Sequence, residues 1–238
     1  MALDLKLFKE EAQPTIRIYS WANKCVSVGY GQEVDRLLGS SVAGELGWEI
    51  VKRPTGGGIV FHNEAEVTFA VVCGVDDLPA GLLPSYYKIS EAVVYALKQI
   101  GVEAELQTSN SKPQGNYQPQ TANLCFAYPA EYEIVCQGKK IVGSAQKRNR
   151  DKLLQQGSIF VRNPGAEILQ MLKNSDEEVN AISVEEVLKR GVSFDEMAEA
   201  LKSGFGKILC SWCLGGKFSE ITTKAQRPAY RQAGTKGH

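Results

Sequence analysis

Histidine is scarce in this chain of 238 residues, and neither sign of charge dominates it. There are two histidines, and 27 lysines and arginines balance 27 aspartates and glutamates. Because nucleic-acid-binding proteins are usually basic, this balance counts against a nucleic-acid partner. No apolar run approaches the ~18 residues of a membrane-spanning helix, and the N-terminus lacks the basic and apolar regions of a secretory signal. We therefore expect a cytoplasmic protein that binds neither nucleic acid nor membrane.

Cysteines with metal-ligand spacing are also few. Cys210 and Cys213 form one such pair among the six cysteines, and no second pair completes a tetrahedral zinc site. Without an export signal, the cysteines are expected to be thiols and not a disulfide framework. The default interpretation of the pair is that it packs as small apolar side chains near a helix end, so we predict no metal site.

The composition is that of a globular protein, with 43% apolar and 23% charged residues. Strand-like segments fill the first two-thirds of the chain, and helix-like segments fill the last third. This distribution predicts an α+β fold with a mixed or antiparallel β-sheet and flanking helices. We expect a single domain over residues 1–223, helical from about residue 164, and a flexible basic tail over residues 224–238.

Periodicity predicts the individual elements. Alternating segments predict strands, which we pair in chain order as 15–19 with 26–30, 59–61 with 66–73, and 132–136 with 140–145. Apolar residues at helical spacing predict a helix over residues 85–100. Further helices are predicted over residues 166–173, 183–190 and 194–209.

Three consecutive glycines, Gly56, Gly57 and Gly58, stand directly before one predicted strand. Because glycine there costs conformational entropy, the run predicts that backbone N–H groups closely approach a carbonyl, a phosphate or an acyl chain. Arg53 beside the glycines offers a cation for phosphate or carboxylate. An ordinary β-turn with a bulge is the alternative interpretation.

Two further side chains are candidates for chemistry. Lys140 opens a strand of small and apolar residues, where it either points into a pocket near the glycines or is solvated at the mouth of the hairpin. Cys125 lies at the end of a long polar segment. A nearby ammonium group would lower the pKa of its thiol and make it a nucleophile, although a buried, inert cysteine fits the local sequence equally well.

Together these segments resemble a known family. RPTGGGIVFH from Arg53, KIVGSAQ from Lys140 and LLQQGSI from Leu153 are similar, in this order, to motifs of the lipoate-protein ligase and octanoyltransferase family. RIYSW at 17–21 and SVGYGQ at 27–32 fit its first hairpin. The resemblance places the chain in the biotin and lipoate ligase superfamily, and implies a catalytic core like those of biotin ligases and class II synthetases.

The resemblance also implies site residues. It places an acyl pocket between the glycine loop and the strand of Lys140, with Lys140 touching the acyl carbonyl. LCFAYPAEYE from Leu124 resembles the branch of transferases that use a nucleophilic cysteine, which makes Cys125 catalytic together with Lys140. The implied substrate-binding residues are Arg53, Gly56, Gly57, Gly58, His62, Gly143, Ser144, Ala145, Gln156, Gly157 and Ser158.

The branch that the chain resembles most is that of octanoyl-[acyl-carrier-protein]:protein N-octanoyltransferases. It implies transfer of an octanoyl or lipoyl group from acyl carrier protein, through a cysteine thioester, to a lysine of a lipoyl domain or glycine-cleavage H protein. Exchange between similar thioesters is nearly isoenergetic, so no cofactor is expected. The basic segment from Lys147 to Lys152 is a candidate dock for an acidic carrier protein.

Two alternatives remain open. The triple glycine also suits the ligase branch, which would use ATP and magnesium to form a lipoyl-adenylate. Gln156 stands where the family usually has histidine. This departure favours the second alternative, a paralogue that binds acyl or adenylate ligands without catalysis.

Overall fold

The computed structural model describes residues 1–10, 13–107, 132–163, 165, 167–173, 180–209 and 219–226. The helices in these ranges are α1 (Ala2–Glu10), α2 (Val34–Leu37), α3 (Ser40–Glu45), α4 (Leu82–Gln99), α5 (Glu167–Gln170), α6 (Val184–Leu188) and α7 (Phe194–Ile208). The strands are β1 (Thr15–Trp21), β2 (Cys25–Val28), β3 (Glu49–Lys52), β4 (Val60–His62), β5 (Val67–Gly74), β6 (Glu105–Leu106), β7 (Ile134–Cys136), β8 (Lys139–Arg148), β9 (Lys152–Ile159) and β10 (Ser219–Gln226).

The larger sheet has seven strands in the order β10-β1-β5-β9-β8-β7-β6. Its neighbours are antiparallel except β10 and β1, which run parallel. The hairpin predicted around residues 132–145 is confirmed as β7 and β8. The mixed sheet and the helices around it confirm the predicted α+β class.

The smaller sheet has three strands in the order β3-β2-β4, with β2 parallel to β3 and antiparallel to β4. The first two predicted strand pairs are therefore wrong, because β1 and β2 lie in different sheets, and so do β4 and β5. Every residue of β1, β2 and β4 is buried. A strand covered on both faces takes its partners from the tertiary structure, and the short intervening turn does not decide them.

Helices α4 and α7 pack together on one face of the larger sheet. Helix α4 confirms the helix predicted over residues 85–100, although it begins at Leu82. Ile89 and Leu97 of α4 are fully buried in the same apolar cluster as Phe69 of β5 and Phe205 of α7. This layer is the main core of the protein.

Helix α1 covers the other face of the larger sheet, beside the smaller sheet. Its Leu7 and Phe8 pack in one apolar cluster with Trp21, Val72 and Leu154. Burial of each such side chain contributes roughly 1.5–3 kcal/mol. The packing holds α1 in a position where its Asp4 is fully buried against strand side chains.

The C-terminal third ends in a strand that the sequence did not predict. Helices α5, α6 and α7 lie within the predicted helical segments, but β10 then pairs with β1 at the sheet edge. Residues 224–226 of the expected tail therefore belong to a strand, and residues 227–238 lie outside the described residues. None of the helices in the described part of the chain is both long and apolar enough to cross a membrane.

Candidate active site

The glycine run folds around the side chain of Arg53, which directly follows β3. The guanidinium donates to the backbone oxygen of Gly56 from Nε at 3.2 Å and from Nη2 at 2.9 Å, and Nη2 also donates to the oxygen of Gly58. Nη1 donates to the backbone oxygen of Ser27 at 2.9 Å and to its Oγ at 3.0 Å. One buried cation thereby ties the loop to β2.

Two glycines are required by this arrangement. Gly57 has a φ of +86°, and a Cβ there would lie 3.1 Å from Nη2 of Arg53. Gly29, just after β2, lies so close to the loop that a Cβ would come within 3.0 Å of the backbone oxygen of Gly57. The glycine run was predicted to allow a close approach of backbone, and at Gly57 the group that approaches is the protein's own backbone at Gly29.

His62, the last residue of β4, lies next to this loop with both ring nitrogens paired. Nε2 is 2.6 Å from Oγ of Ser27, and Nδ1 is 2.7 Å from Oε1 of Glu66. The ring of Trp21 stacks on the imidazole with 4.0 Å between centroids. Because a carboxylate only accepts hydrogen bonds, a neutral His62 carries its proton on Nδ1, and Nε2 accepts the proton of Ser27.

Glu66 is the centre of a buried hydrogen-bond network. Besides His62, its Oε1 accepts from Oγ1 of Thr68 at 2.9 Å and from Oγ of Ser158. Nε1 of Trp21 donates to Oγ1 of Thr68 at 2.8 Å. The network fixes the imidazole between the two sheets.

A second buried network centres on Asp4 of α1. Its carboxylate is ion-paired with Arg17, accepts from the hydroxyl of Tyr19 at 3.0 Å and accepts from Nε2 of Gln156 at 2.6 Å. Oε1 of Gln156 in turn accepts from Oγ1 of Thr55 in the glycine loop at 2.9 Å. Burial, followed by the charge of Asp4, raises the pKa of Tyr19 well above its ordinary value. The amide of Gln156 therefore links α1 to the loop.

Strand register explains why residues distant in sequence meet here. Tyr19, Thr68, Ser158 and Gly143 are cross-strand partners in four adjacent strands. A second row, two positions along, consists of Arg17, Ala70, Gln156 and Ala145. Cross-strand partners, and positions two apart, point to the same face of a sheet. Both rows therefore face α1 and the smaller sheet.

A cavity lies at this junction. The predicted substrate-binding residues that line it are Arg53, His62, Gly143, Ser144, Ala145, Gln156, Gly157 and Ser158. The lining residues for which no binding role was predicted are Met1, Tyr19, Ser27, Val60 and Thr68. The period of two in β1 and β5 could have indicated Tyr19 and Thr68, once the pairing of these strands was known.

Lys140 lies elsewhere along β8. It is buried, its ammonium is ion-paired with Glu133, and it does not line this cavity. Its backbone N–H donates to the oxygen of Asn180 at 3.1 Å, and its backbone oxygen accepts from Ile182 at 3.0 Å. The interpretation of Lys140 as a solvated lysine is therefore wrong, because burial and the charge of Glu133 fix the side chain.

Cys125 lies outside the described residues. Cys25, Cys73 and Cys136, in the described part of the chain, are free and buried. Burial raises the pKa of Cys25 and of Cys136, which reduces the thiolate fraction of both. No cluster of three or more metal-ligating side chains occurs within the described ranges.

Comparisons with known proteins agree with the family resemblance. The family model described as the lipoyl protein ligase A/B catalytic domain matches residues 1–206. Octanoyltransferase LipM of Moorella thermoacetica is 31% identical over 236 residues, covering 92% of this chain and 85% of that protein. Octanoyltransferase LipM of Kyrpidia tusciae is 33% identical over 212 residues, covering 84% and 77%.

Solved structures share the fold. Lipoate-protein ligase A bound with ATP superposes with a TM-score of 0.72 at 22% identity, covering 96% of this chain and 83% of that one. The putative lipoate protein ligase Ta0514 of T. acidophilum, solved with bound lipoic acid, gives 0.70 at 22% identity, covering 94% and 83%. The sequence match and the shared fold agree, and this chain belongs to the lipoyl protein ligase A/B catalytic domain family.

Proposed function

We propose that this protein is an octanoyltransferase of protein lipoylation. It takes an octanoyl group from acyl carrier protein, carries it as a thioester on Cys125 and transfers it to a lysine of a lipoyl domain or glycine-cleavage H protein. The observation that carries the proposal is the match to octanoyltransferases LipM along 92% and 84% of the chain. The cavity between the two sheets supports it, because residues of all three family motifs converge there.

The walls of that cavity suit a slender acyl chain. Gly143, Ala145, Gly157 and Val60 contribute little or no polar side chain, and the polar groups of His62 are satisfied by protein partners. Its volume is about 20 Å³, enough for about one water molecule. Acyl binding therefore has to widen it. A second cavity of about 350 Å³ adjoins it, and Met1 and Arg53 line both.

The first chemical step is a thioester exchange. The Cys125 thiolate attacks the carbonyl carbon of the octanoyl thioester, and the bond to the sulfur of the carrier breaks. That thiolate leaves and takes up the proton that Cys125 has lost. One thioester replaces another, so the step needs no ATP. The raised pKa values of the Cys25 and Cys136 thiols make both poor candidates for this role.

The second step forms the amide. A neutral ε-amine of the acceptor attacks the acyl carbonyl, the bond to the Cys125 sulfur breaks, and the departing thiolate receives the proton that the nitrogen releases. A lysine amine has an ordinary pKa of ~10.4, so a dry site has to favour its neutral form. The family resemblance gives Lys140 a catalytic role, but its ammonium is paired with Glu133 and does not line the acyl cavity, so it would have to move toward the carbonyl to stabilise the tetrahedral oxyanion.

The test combines intact-mass spectrometry with an assay of acceptor octanoylation. Wild-type protein incubated with octanoyl carrier protein should gain the mass of one octanoyl group and transfer it to H protein without ATP. Cys125→Ser should transfer nothing and retain no thioester that hydroxylamine removes at neutral pH. Cys213→Ser is the matched control and should behave as wild type.

Other outcomes overturn the proposal in distinct ways. Turnover by Cys125→Ala at the wild-type rate would exclude the cysteine nucleophile. Transfer from free octanoate or lipoate that requires ATP and releases pyrophosphate would assign a ligase. Thermal stabilisation by acyl ligands without transfer to any acceptor would assign a non-catalytic binding protein.

A further inference from the structure

The larger of the two cavities has walls of a single charge sign. It lies between α1, the segment after β2, the end of β3 and the C-terminal end of β8. Its charged lining residues are Lys9, Lys52, Arg53 and Lys147, and no acidic residue lines it within the described ranges. Because Arg53 is engaged by the glycine loop, the three lysines are the cations available to a ligand. A cleft of one charge sign concentrates ligands of the opposite sign.

Tyr30 organises two of these lysines. Its side chain is 67% exposed, one of the few large hydrophobic side chains so exposed in the described residues. Nζ of Lys52 lies 5.7 Å from the centroid of its ring, and Nζ of Lys147 lies 5.2 Å from it. Cation–π contacts of this kind are weak at an exposed site, but they hold both ammonium groups at one edge of the cavity.

The rest of the wall is apolar. Leu5 and Phe8 of α1 and Pro54 of the glycine loop also line the cavity. At about 350 Å³, the cavity has the volume of a small-molecule binding site and is too small to hold part of a folded protein. It therefore fits a ligand that has an apolar or amide-containing arm and one anionic group.

We propose that this cavity binds the phosphate-bearing pantetheine arm of the acyl donor, with Lys9, Lys52 and Lys147 receiving the phosphate. This inference rests on the proposed function and specifies the part of the donor that is recognised. Lysine binds phosphate as a point charge, and the shared wall at Met1 and Arg53 places the arm next to the acyl cavity. The candidate dock at 147–152 would then contact the carrier protein where the arm enters.

The decisive experiment compares two donors that differ by one phosphate, octanoyl-phosphopantetheine and octanoyl-pantetheine. Wild-type protein should use the phosphorylated donor with a KM lower by about tenfold, since each exposed ion contact changes an affinity by roughly two- to fivefold. The double variant Lys52→Ala/Lys147→Ala should lose this preference, because its KM for the phosphorylated donor rises while its KM for the unphosphorylated donor does not change. Lys6→Ala is the matched control, an exposed lysine on the same helix as Lys9.

Three kinetic outcomes would overturn the inference while leaving the proposed function intact. The first is equal KM values for both donors with wild-type protein. The second is a phosphate preference that survives the double substitution. The third is that the double substitution raises the KM for the acceptor domain and not the KM for the donor, which would assign the cavity to the acceptor.

If the protein turns over neither donor, that result counts against the proposed function. A binding measurement then still tests the inference. Isothermal titration calorimetry with phosphopantetheine, pantetheine and ATP measures this binding. Wild-type protein should bind phosphopantetheine more tightly than pantetheine. The double substitution should weaken the binding of phosphopantetheine about tenfold and leave the binding of pantetheine unchanged. Binding of ATP alone, or equal binding of phosphopantetheine and pantetheine, would contradict the assignment.

Discussion

Glu66 and His62 share a buried hydrogen bond of 2.7 Å that joins the two sheets of this protein. His62 ends β4 of the smaller sheet, and Glu66 directly precedes β5 of the larger one. The bond orients the imidazole toward Ser27 and, with the other donors to Glu66, determines how the strands around the acyl cavity meet.

Glu66→Gln tests this relationship. His62, Thr68 and Ser158 all bond to one oxygen of Glu66, Oε1, so the amide oxygen of the variant would have to accept all three bonds without the negative charge that strengthens them. We expect the free energy of unfolding in urea to fall by about 1–3 kcal/mol. Glu64→Gln, two residues earlier in the same turn and exposed, should leave the unfolding midpoint unchanged. Equal midpoints for both variants would mean that the network does not stabilise the fold.

Gly29→Ala tests the approach of β2 to the glycine loop. A Cβ at Gly29 meets the backbone oxygen of Gly57, so the loop has to shift away from Arg53. We expect kcat/KM for octanoyl transfer to fall by at least about tenfold, because a small displacement of a binding loop costs catalysis heavily. Gly31→Ala meets no atom within 4 Å and is the matched control. Activity retained by Gly29→Ala would show that the loop position is not critical.

Gly204 and Gly206 provide a matched pair on α7. A Cβ at Gly204 would collide with the backbone oxygen of Ala92, whereas a Cβ at Gly206 meets nothing within 4 Å. Gly204→Ala should lower the free energy of unfolding by about 1–3 kcal/mol through overpacking. Gly206→Ala should raise it by up to about 1 kcal/mol, because alanine favours the helix. Urea titrations of both variants measure the difference, and the same sign for both would refute the packing argument.

Ser183 and Glu186 form a capping box at the start of α6, and this predicts a dependence on pH. The Ser183 hydroxyl donates to Oε2 of Glu186 at 2.7 Å and accepts from its backbone N–H at 3.2 Å. The hydrogen bond from Ser183 lowers the pKa of Glu186 below its ordinary 4.5. The resulting stability is present above pH 4.5 and is lost as the pH falls through the lowered value.

Ser183→Ala should therefore cost about 1 kcal/mol of unfolding free energy at pH 7, and less at pH 3. Ser193→Ala at the start of α7 is the control, since the Ser193 hydroxyl accepts from the backbone N–H of Glu196, whose carboxylate is paired with Arg190. Its cost should vary less with pH. Urea titrations at both pH values separate the two behaviours. A cost for Ser183→Ala that does not change with pH would exclude the contribution of ionised Glu186.

Some elements were predictable because their signals are local. The apolar residues of α4 recur at helical spacing, and the turn at Gln137 and Gly138 joins two adjacent strands, so both elements follow from short segments. The strand β10 gave no such signal, because Ser219–Gln226 is mostly polar and its partner β1 is about 200 residues away.

The residues of the candidate site likewise fall into those that the sequence predicted and those that only the structure identified. The motifs around Arg53, Lys140 and Gln156 identified the family and most of the cavity lining from sequence alone, because each motif is continuous in the chain. Only the tertiary structure decided that Ser27 pairs with His62 and that Asp4 reaches Gln156, 152 positions away. Buried hydrogen-bond partners are selected by which strands lie side by side, and that choice is a property of the whole core.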